Sequence, residues 1–277
     1  MSGGAEATAA GHAAPGFNPG ELIMHHITDA PEIEIPMTGQ VIHLPRIEIA
    51  GLDFSITRSV VMMWVASVIL VVVFALAARR AKETVPRGLR GFLEILILFV
   101  RDEVVRRAIP HGGDRYLGYL LTNFFFILTC NMLGLIPGMS TATGSISVTA
   151  ALATIAFVMI QFAGIREYGV VGHFKNLIPH GLPAWLIPIM LPVELLGLLT
   201  KPFALCVRLF ANMTAGHVMI LSLISLIFIL KTAAAAAISV PFALFIYLLE
   251  ILVAFIQAFI FTMLAALFIG MSAHPAH

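Results

Sequence analysis

Charge is what this sequence has least of. Asp, Glu, Lys and Arg make up 11% of its 277 residues and hydrophobic residues 60%, a balance that excludes a soluble globular domain and marks an integral membrane protein. Cysteine is nearly absent too. Cys130 and Cys206 both fall in apolar spans, so no disulfide framework is expected and both read as inert core thiols. There is no phosphate-cradling glycine loop and no nucleophile motif. His12, His25, His26, His274 and His277 lie in the tails without metal-ligand spacing, so no cofactor and no metal are expected. The first 50 residues contain no apolar stretch of signal-peptide type, so the first span is expected to direct its own insertion.

The spans themselves are plentiful. Crossing ~30 Å of hydrocarbon takes about 20 apolar residues in helical form, and such runs recur at about 56–78, 116–136, 146–165, 184–230 and 238–270. The expected fold class is an all-α integral membrane protein of about five embedded helices. A segment over 87–108 alternates charged and apolar residues at near-helical spacing and reads as an amphipathic helix at the cytoplasmic interface. Residues 1–55 form a separate acidic leader, read as a flexible external tail. It holds Glu6, Glu21, Asp29, Glu32, Glu34, Glu48 and Asp53 against Arg46 alone. The loop "RRAKETVPRGLR" reverses that balance, which places it in the cytoplasm, the amino terminus outside and the carboxyl terminus inside. "PGMSTATG" then reads as an external turn, and "REYGVVGHFKNLIPHG" as a cytoplasmic loop.

The last two apolar blocks, separated by "KTAAAAA", form a hairpin and are too long for upright spans. At ~1.5 Å per residue they would measure ~68 and ~50 Å, so either they tilt steeply or the first breaks at Pro188, Pro192 or Pro202. Inside this hairpin lie Arg208, His217, Glu250 and Gln257, and an ionisable group at such depth costs roughly 2.5–3.5 kcal/mol, which makes it a functional candidate. With the tip near residue 234, residues of the two arms lie level when their numbers add to about 468. Arg208 is thereby level with Gln257, and His217 with Glu250, within ~3 Å.

The chemistry of these groups differs. A guanidinium stays protonated below about pH 12 and has no acceptor, so Arg208 can serve only as a fixed cation. An imidazole and a carboxylate at one depth can exchange protons near neutral pH, which makes His217 and Glu250 the candidate carriers. On a helical wheel Arg208 shares a stripe with Ala204, Ala211 and Ala215, small residues that admit a second helix, and Glu194 and Lys201 extend the stripe inward. His217 points about 180° away from it. Asn212 lies about 40° from Arg208 and serves either packing or the site. Two readings of Arg208 stand at this point: a strut paired with Glu194 or Glu250, or a cation presented to another polypeptide. His217 and Gln257 likewise admit a packing role, and Asn123 and Asn131 read as inter-helix hydrogen bonders.

The stretches "PVELLGLLTKPFALCVRLFANMTAGH", "YLLEILVAFIQAFIFTML" and "NMLGLIPG" resemble subunit a of the rotary F-type ATP synthase, and the likeness extends from about Gly51 to the carboxyl end. The resemblance implies a stator subunit of the membrane sector with two offset proton half-channels, no catalysis by itself, and a bacterial inner membrane location. It implies as partners a ring of c subunits, the b subunits of the peripheral stalk, the remaining synthase subunits and the lipid bilayer, with no nucleic acid. It matches Arg208 to the arginine that gates the rotor carboxylates, and Glu194, Asn212, His217, Glu250 and Gln257 to the polar proton path. Some relatives carry the acid at the position of His217 and the histidine at that of Glu250, and some carry an acid where this chain has Gly134. Two rivals from other classes are an ion-coupled secondary transporter, which calls for internal repeats, and an intramembrane hydrolase, for which Ser222 and Ser225 near His217 are a weak signal.

Overall fold

The computed structural model describes residues 32–34, 41–43, 48–49, 52–53, 55–79, 88–110, 112–136, 139, 141–175, 187–230 and 232–273. Within the leader, β1 (Glu32–Glu34) pairs antiparallel with β2 (Val41–His43), and β3 (Glu48–Ile49) with β4 (Leu52–Asp53). Everything described beyond the leader is helix and connecting turn. The helices are α1 (Arg58–Arg79), α2 (Leu89–Phe99), α3 (Asp114–Gly134), α4 (Ile146–Lys175), α5 (Ile187–Leu230) and α6 (Ala233–Ala273). All but α2 are long and apolar enough to cross a membrane, so the expectation of five such helices holds. Irregular backbone in hydrocarbon would strand N–H and C=O groups, which is why apolar runs of this length resolve into helices.

The core sits where α3, α4, α5 and α6 meet. Leu120, Phe124 and Ile127 of α3 pack with Ala156, Ile160 and Ala163 of α4, Leu205 and Leu209 of α5, and Ala258, Phe261 and Ala265 of α6. The alanines matter because lipid tails are as apolar as leucine, so helices associate through close approach of their backbones at small residues. The segment expected as an amphipathic interfacial helix is α2, continued by a π-helical turn (Val100–Val105) and Arg106–Ala108. It buries Leu93, Leu96, Val100 and Val104 against this core and leaves Phe92, Ile95 and Leu98 outward. Arg106 and Arg107 are paired in the i,i+4 sense with Asp102 and Glu103 at 2.8 and 2.7 Å, which keeps its charged end in ion pairs.

The structure decides one open alternative and extends one expected helix. First, none of the prolines ends α5 within its span: a single helix of 44 residues passes through Pro192 and Pro202. Its length of ~66 Å is about twice the thickness of the hydrocarbon layer. Pro202 withholds one backbone hydrogen bond from this helix, and in the turn before it the Thr200 hydroxyl donates to the Gly197 carbonyl at 2.9 Å. Second, the segment read as a loop from Arg166 onward is helical through Lys175. Gly169, at φ 70° and ψ 170°, breaks α4 there, a conformation that suits a residue without Cβ. The chain then hooks back so that His173 Nε2 lies 2.7 Å from the accepting Gln161 Oε1.

The hook closes over Gly164, where a Cβ would overlap the His173 ring and lie 2.5 Å from Ser272 Oγ. Gly164→Leu should therefore lower the midpoint for heat-induced unfolding of the purified protein, by an overpacking cost of roughly 1–3 kcal/mol. Gly118→Ala, placed in α3 with nothing within 4 Å of the new methyl, should leave that midpoint unchanged or raise it slightly.

Candidate functional site

The site is built on the hairpin of α5 and α6. The Lys231–Thr232 connection between them is so short that the two helices must run antiparallel side by side. Leu205, Leu209 and Met213 form the buried side of α5, and the opposite side carries exposed Ala204, Arg208, Ala211 and Ala215 beside Phe203 at 68% exposure. Arg208 thus stands in the middle of an exposed apolar surface that the described residues do not cover. Among the described residues the Arg208 side chain has neither an ion pair nor a hydrogen bond. The strut reading, in which Glu194 or Glu250 neutralises it, is not what the structure contains.

The level-matching of the two arms holds for His217 with Glu250, and Gln257 finds its partner a turn away from Arg208. His217 Nδ1 lies 2.9 Å from Glu250 Oε1, and Asn212 Nδ2 donates to Gln257 Oε1 at 2.8 Å. Gln257 therefore meets Asn212, about one turn farther along α5 than Arg208. Asn212 is exposed on the Arg208 side of the helix and reaches across to Gln257, which is 1% exposed. His217 lies on the far side, as the wheel predicts, turned into the protein. Glu194 is half-buried on the Arg208 stripe and has no ion pair among the described residues. Lys201 Nζ lies 5.2 Å from the centre of the Phe268 ring, a cation–π contact to α6.

Around the His217–Glu250 pair the structure adds partners that the sequence did not disclose. His217 Nε2 lies 2.8 Å from Thr141 Oγ1 and 3.0 Å from the Gly134 carbonyl oxygen. Gly134 thus contributes through its main chain. The turn bearing Thr141 is itself tied down: Thr143 Oγ1 donates to Asn131 Oδ1 at 2.6 Å, and Asn131 Nδ2 donates to the Ala254 carbonyl at 3.3 Å. Asn131 is the inter-helix hydrogen bonder expected of it, whereas Asn123 Nδ2 is buried without a partner among the described residues. Tyr247 Oη donates to the Leu135 carbonyl at 2.9 Å and clamps α6 to the end of α3. Glu250 is 4% exposed, and its Oε2, like Thr214 Oγ1, has no hydrogen-bond partner among the described residues. Buried oxygens of that kind are the ones that water satisfies. Cys130 and Cys206 are both buried free thiols, as expected.

Known proteins match this chain over most of its length. A family model described as ATP synthase A chain matches residues 60–270. The ATP synthase subunit a of Chloroherpeton thalassium is 51% identical over 260 residues, covering 92% of this chain and 77% of that protein. ATP synthase subunit a 2 of Chlorobaculum tepidum is 50% identical over 277 residues, covering 98% and 78% respectively. ATP synthase subunit a of Myxococcus xanthus is 50% identical over 264 residues, covering 91% and 87%.

The Asn212–Gln257 bond can be weighed by substitution. Asn212→Leu should destabilise the complex by roughly 1–3 kcal/mol, because it strands the buried Gln257 amide oxygen. Adding Gln257→Leu should recover part of that loss, a coupling read from the thermal midpoints of the two single variants and the double.

Proposed function

The chain belongs to the ATP synthase subunit a family, and from that premise we propose how it works: as the stator of the membrane sector, coupling proton flow to the rotation of a c-subunit ring. It is a multi-pass membrane protein that catalyses nothing by itself. In this reading a proton from outside enters a first half-channel past His217 and Glu250, with Asn212 and Gln257 on its inward flank, and neutralises a carboxylate of the ring. A neutral carboxylic acid can move into lipid and an ionised one cannot, because taking a bare charge into hydrocarbon is prohibitive. After nearly a full turn that group meets a second half-channel lined by Glu194. There the positive charge of Arg208 favours the ionised carboxylate and so the release of the proton inward.

The observation that carries the reading is the exposed, unpaired Arg208 on an apolar face. A cation at that depth calls for an opposite charge, and its own chain supplies none among the described residues. A passing ring carboxylate fits the requirement, and the fixed cation between the two half-channels also bars protons from crossing directly. The length of α5 and α6 supports a steeply inclined pair lying along a curved ring. Arg79 and Arg90 flanking the first loop support an amino terminus outside and a carboxyl terminus in the cytoplasm of a bacterial inner membrane. The other subunits of the complex, including the stalk b subunits, are the remaining expected partners.

Arg208→Ala should abolish proton-driven ATP synthesis while the complex still assembles, and a normal synthesis rate in that variant would refute the assignment. Glu250→Gln keeps the shape and removes the titrating group. Passive proton flux through the membrane sector in vesicles should fall in this variant, and flux equal to that of the parent would count against Glu250 as a carrier.

A further inference from the structure

Three of the groups around the His217 ring come from other segments of the chain, and they are not equivalent. Glu250 Oε1 lies 2.9 Å from Nδ1, the Gly134 carbonyl oxygen lies 3.0 Å from Nε2, and Thr141 Oγ1 lies 2.8 Å from Nε2. An ionised carboxylate and a backbone carbonyl only accept, whereas a threonine hydroxyl can donate or accept. A neutral imidazole has one N–H. If that hydrogen sits on Nδ1 and faces Glu250, Nε2 is a bare acceptor, and the Gly134 carbonyl can do nothing for it. The Thr141 hydroxyl can donate to it. Once the ring is protonated both nitrogens donate, and Nε2–H finds the Gly134 carbonyl and the Thr141 oxygen as acceptors.

We propose that Thr141 is a positioning residue of the outer proton path, its hydroxyl keeping the His217 imidazole hydrogen-bonded and in one orientation through both of its protonation states. The inference rests on the function proposed above and assigns that path a member on the turn between α3 and α4. Three features of the structure support it. Thr141 is 6% exposed, so its hydroxyl points into the protein and not into the surroundings. The turn is held in place by Thr143 and Asn131, both fully buried and bonded to each other, with Asn131 reaching the backbone of α6. Gly134 lets the turn come this close, since a Cβ at that position would overlap the Thr141 side chain. The missing side chain at 134 and the hydroxyl at 141 are therefore two halves of one arrangement, in which a main-chain oxygen and a hydroxyl share the Nε2 side of the ring.

Two substitutions separate a hydrogen-bonding role from a packing role. Thr141→Val keeps the shape and loses the hydroxyl, and Thr141→Ser keeps the hydroxyl and loses a methyl. In vesicles carrying the complete complex, ATP synthesis driven by an imposed proton gradient is measured per assembled complex, with Glu250→Gln alongside. Thr141→Val should reduce the rate roughly two- to tenfold, the factor that one net hydrogen bond commands, while Thr141→Ser stays near the parent. The parent rate in Thr141→Val, or a loss in Thr141→Ser as large as in Thr141→Val, overturns the proposal. If Glu250→Gln is impaired and Thr141→Val is not, only the hydroxyl's role has failed. If both retain the parent rate, the placement of the proton path at this cluster has failed with it.

Discussion

A guanidinium cannot shed its proton, so where it stands in an apolar environment the surroundings must answer its charge. That constraint organises this molecule. Arg208 is placed on the exposed side of α5, with alanines above and below it. Glu250, the carboxylate deepest in the hairpin, is bonded to His217 on the opposite side of the helix. Among the described residues the buried acid and the cation are thus kept on different sides of α5.

That separation depends on the packing beneath it. Leu205, Leu209 and Met213 seat α5 on its neighbours, and their spacing fixes which side of the helix faces out. On α6 the buried alanines Ala254, Ala258, Ala265 and Ala266 let α3 and α4 approach, so the polar residues Glu250 and Gln257 are buried and not lipid-facing. Each of these buried polar groups has a bonded partner on α5, which is what makes its burial tolerable. The packing core and the polar path are thus not separate designs. The same helical register that sends leucines inward sends Arg208 outward and His217 toward Glu250.

Much of this is legible in the amino-acid sequence. The level pairing of His217 with Glu250 follows from a constant rise per residue and a short turn, and neither depends on details of packing. The side on which Arg208 stands follows from angular spacing alone. What is not legible there depends on contacts between distant segments. Gln257 bonds Asn212 and not a group level with Arg208, because side-chain reach and rotation shift the partner by a turn. The prolines of α5 look like breaks, but the helix continues through both Pro192 and Pro202. The hook after Gly169 looks like a polar loop, and its fold depends on a glycine conformation and on Gln161 lying opposite His173. Thr141 sits in a short turn with no periodicity, so nothing in the sequence marks its hydroxyl as facing His217 across 76 residues.

The two cross-links between α5 and α6 have a mechanical meaning as well as a chemical one. Asn212 with Gln257 and His217 with Glu250 are bonded between the same two rods at different points along their length. Sliding one rod past the other would have to break both at once, so they act together as a pair of dowels against shear. A force dragging on the exposed side of α5 is accordingly shared with α6, and through Tyr247 with the end of α3. The hairpin can bear a load as one beam.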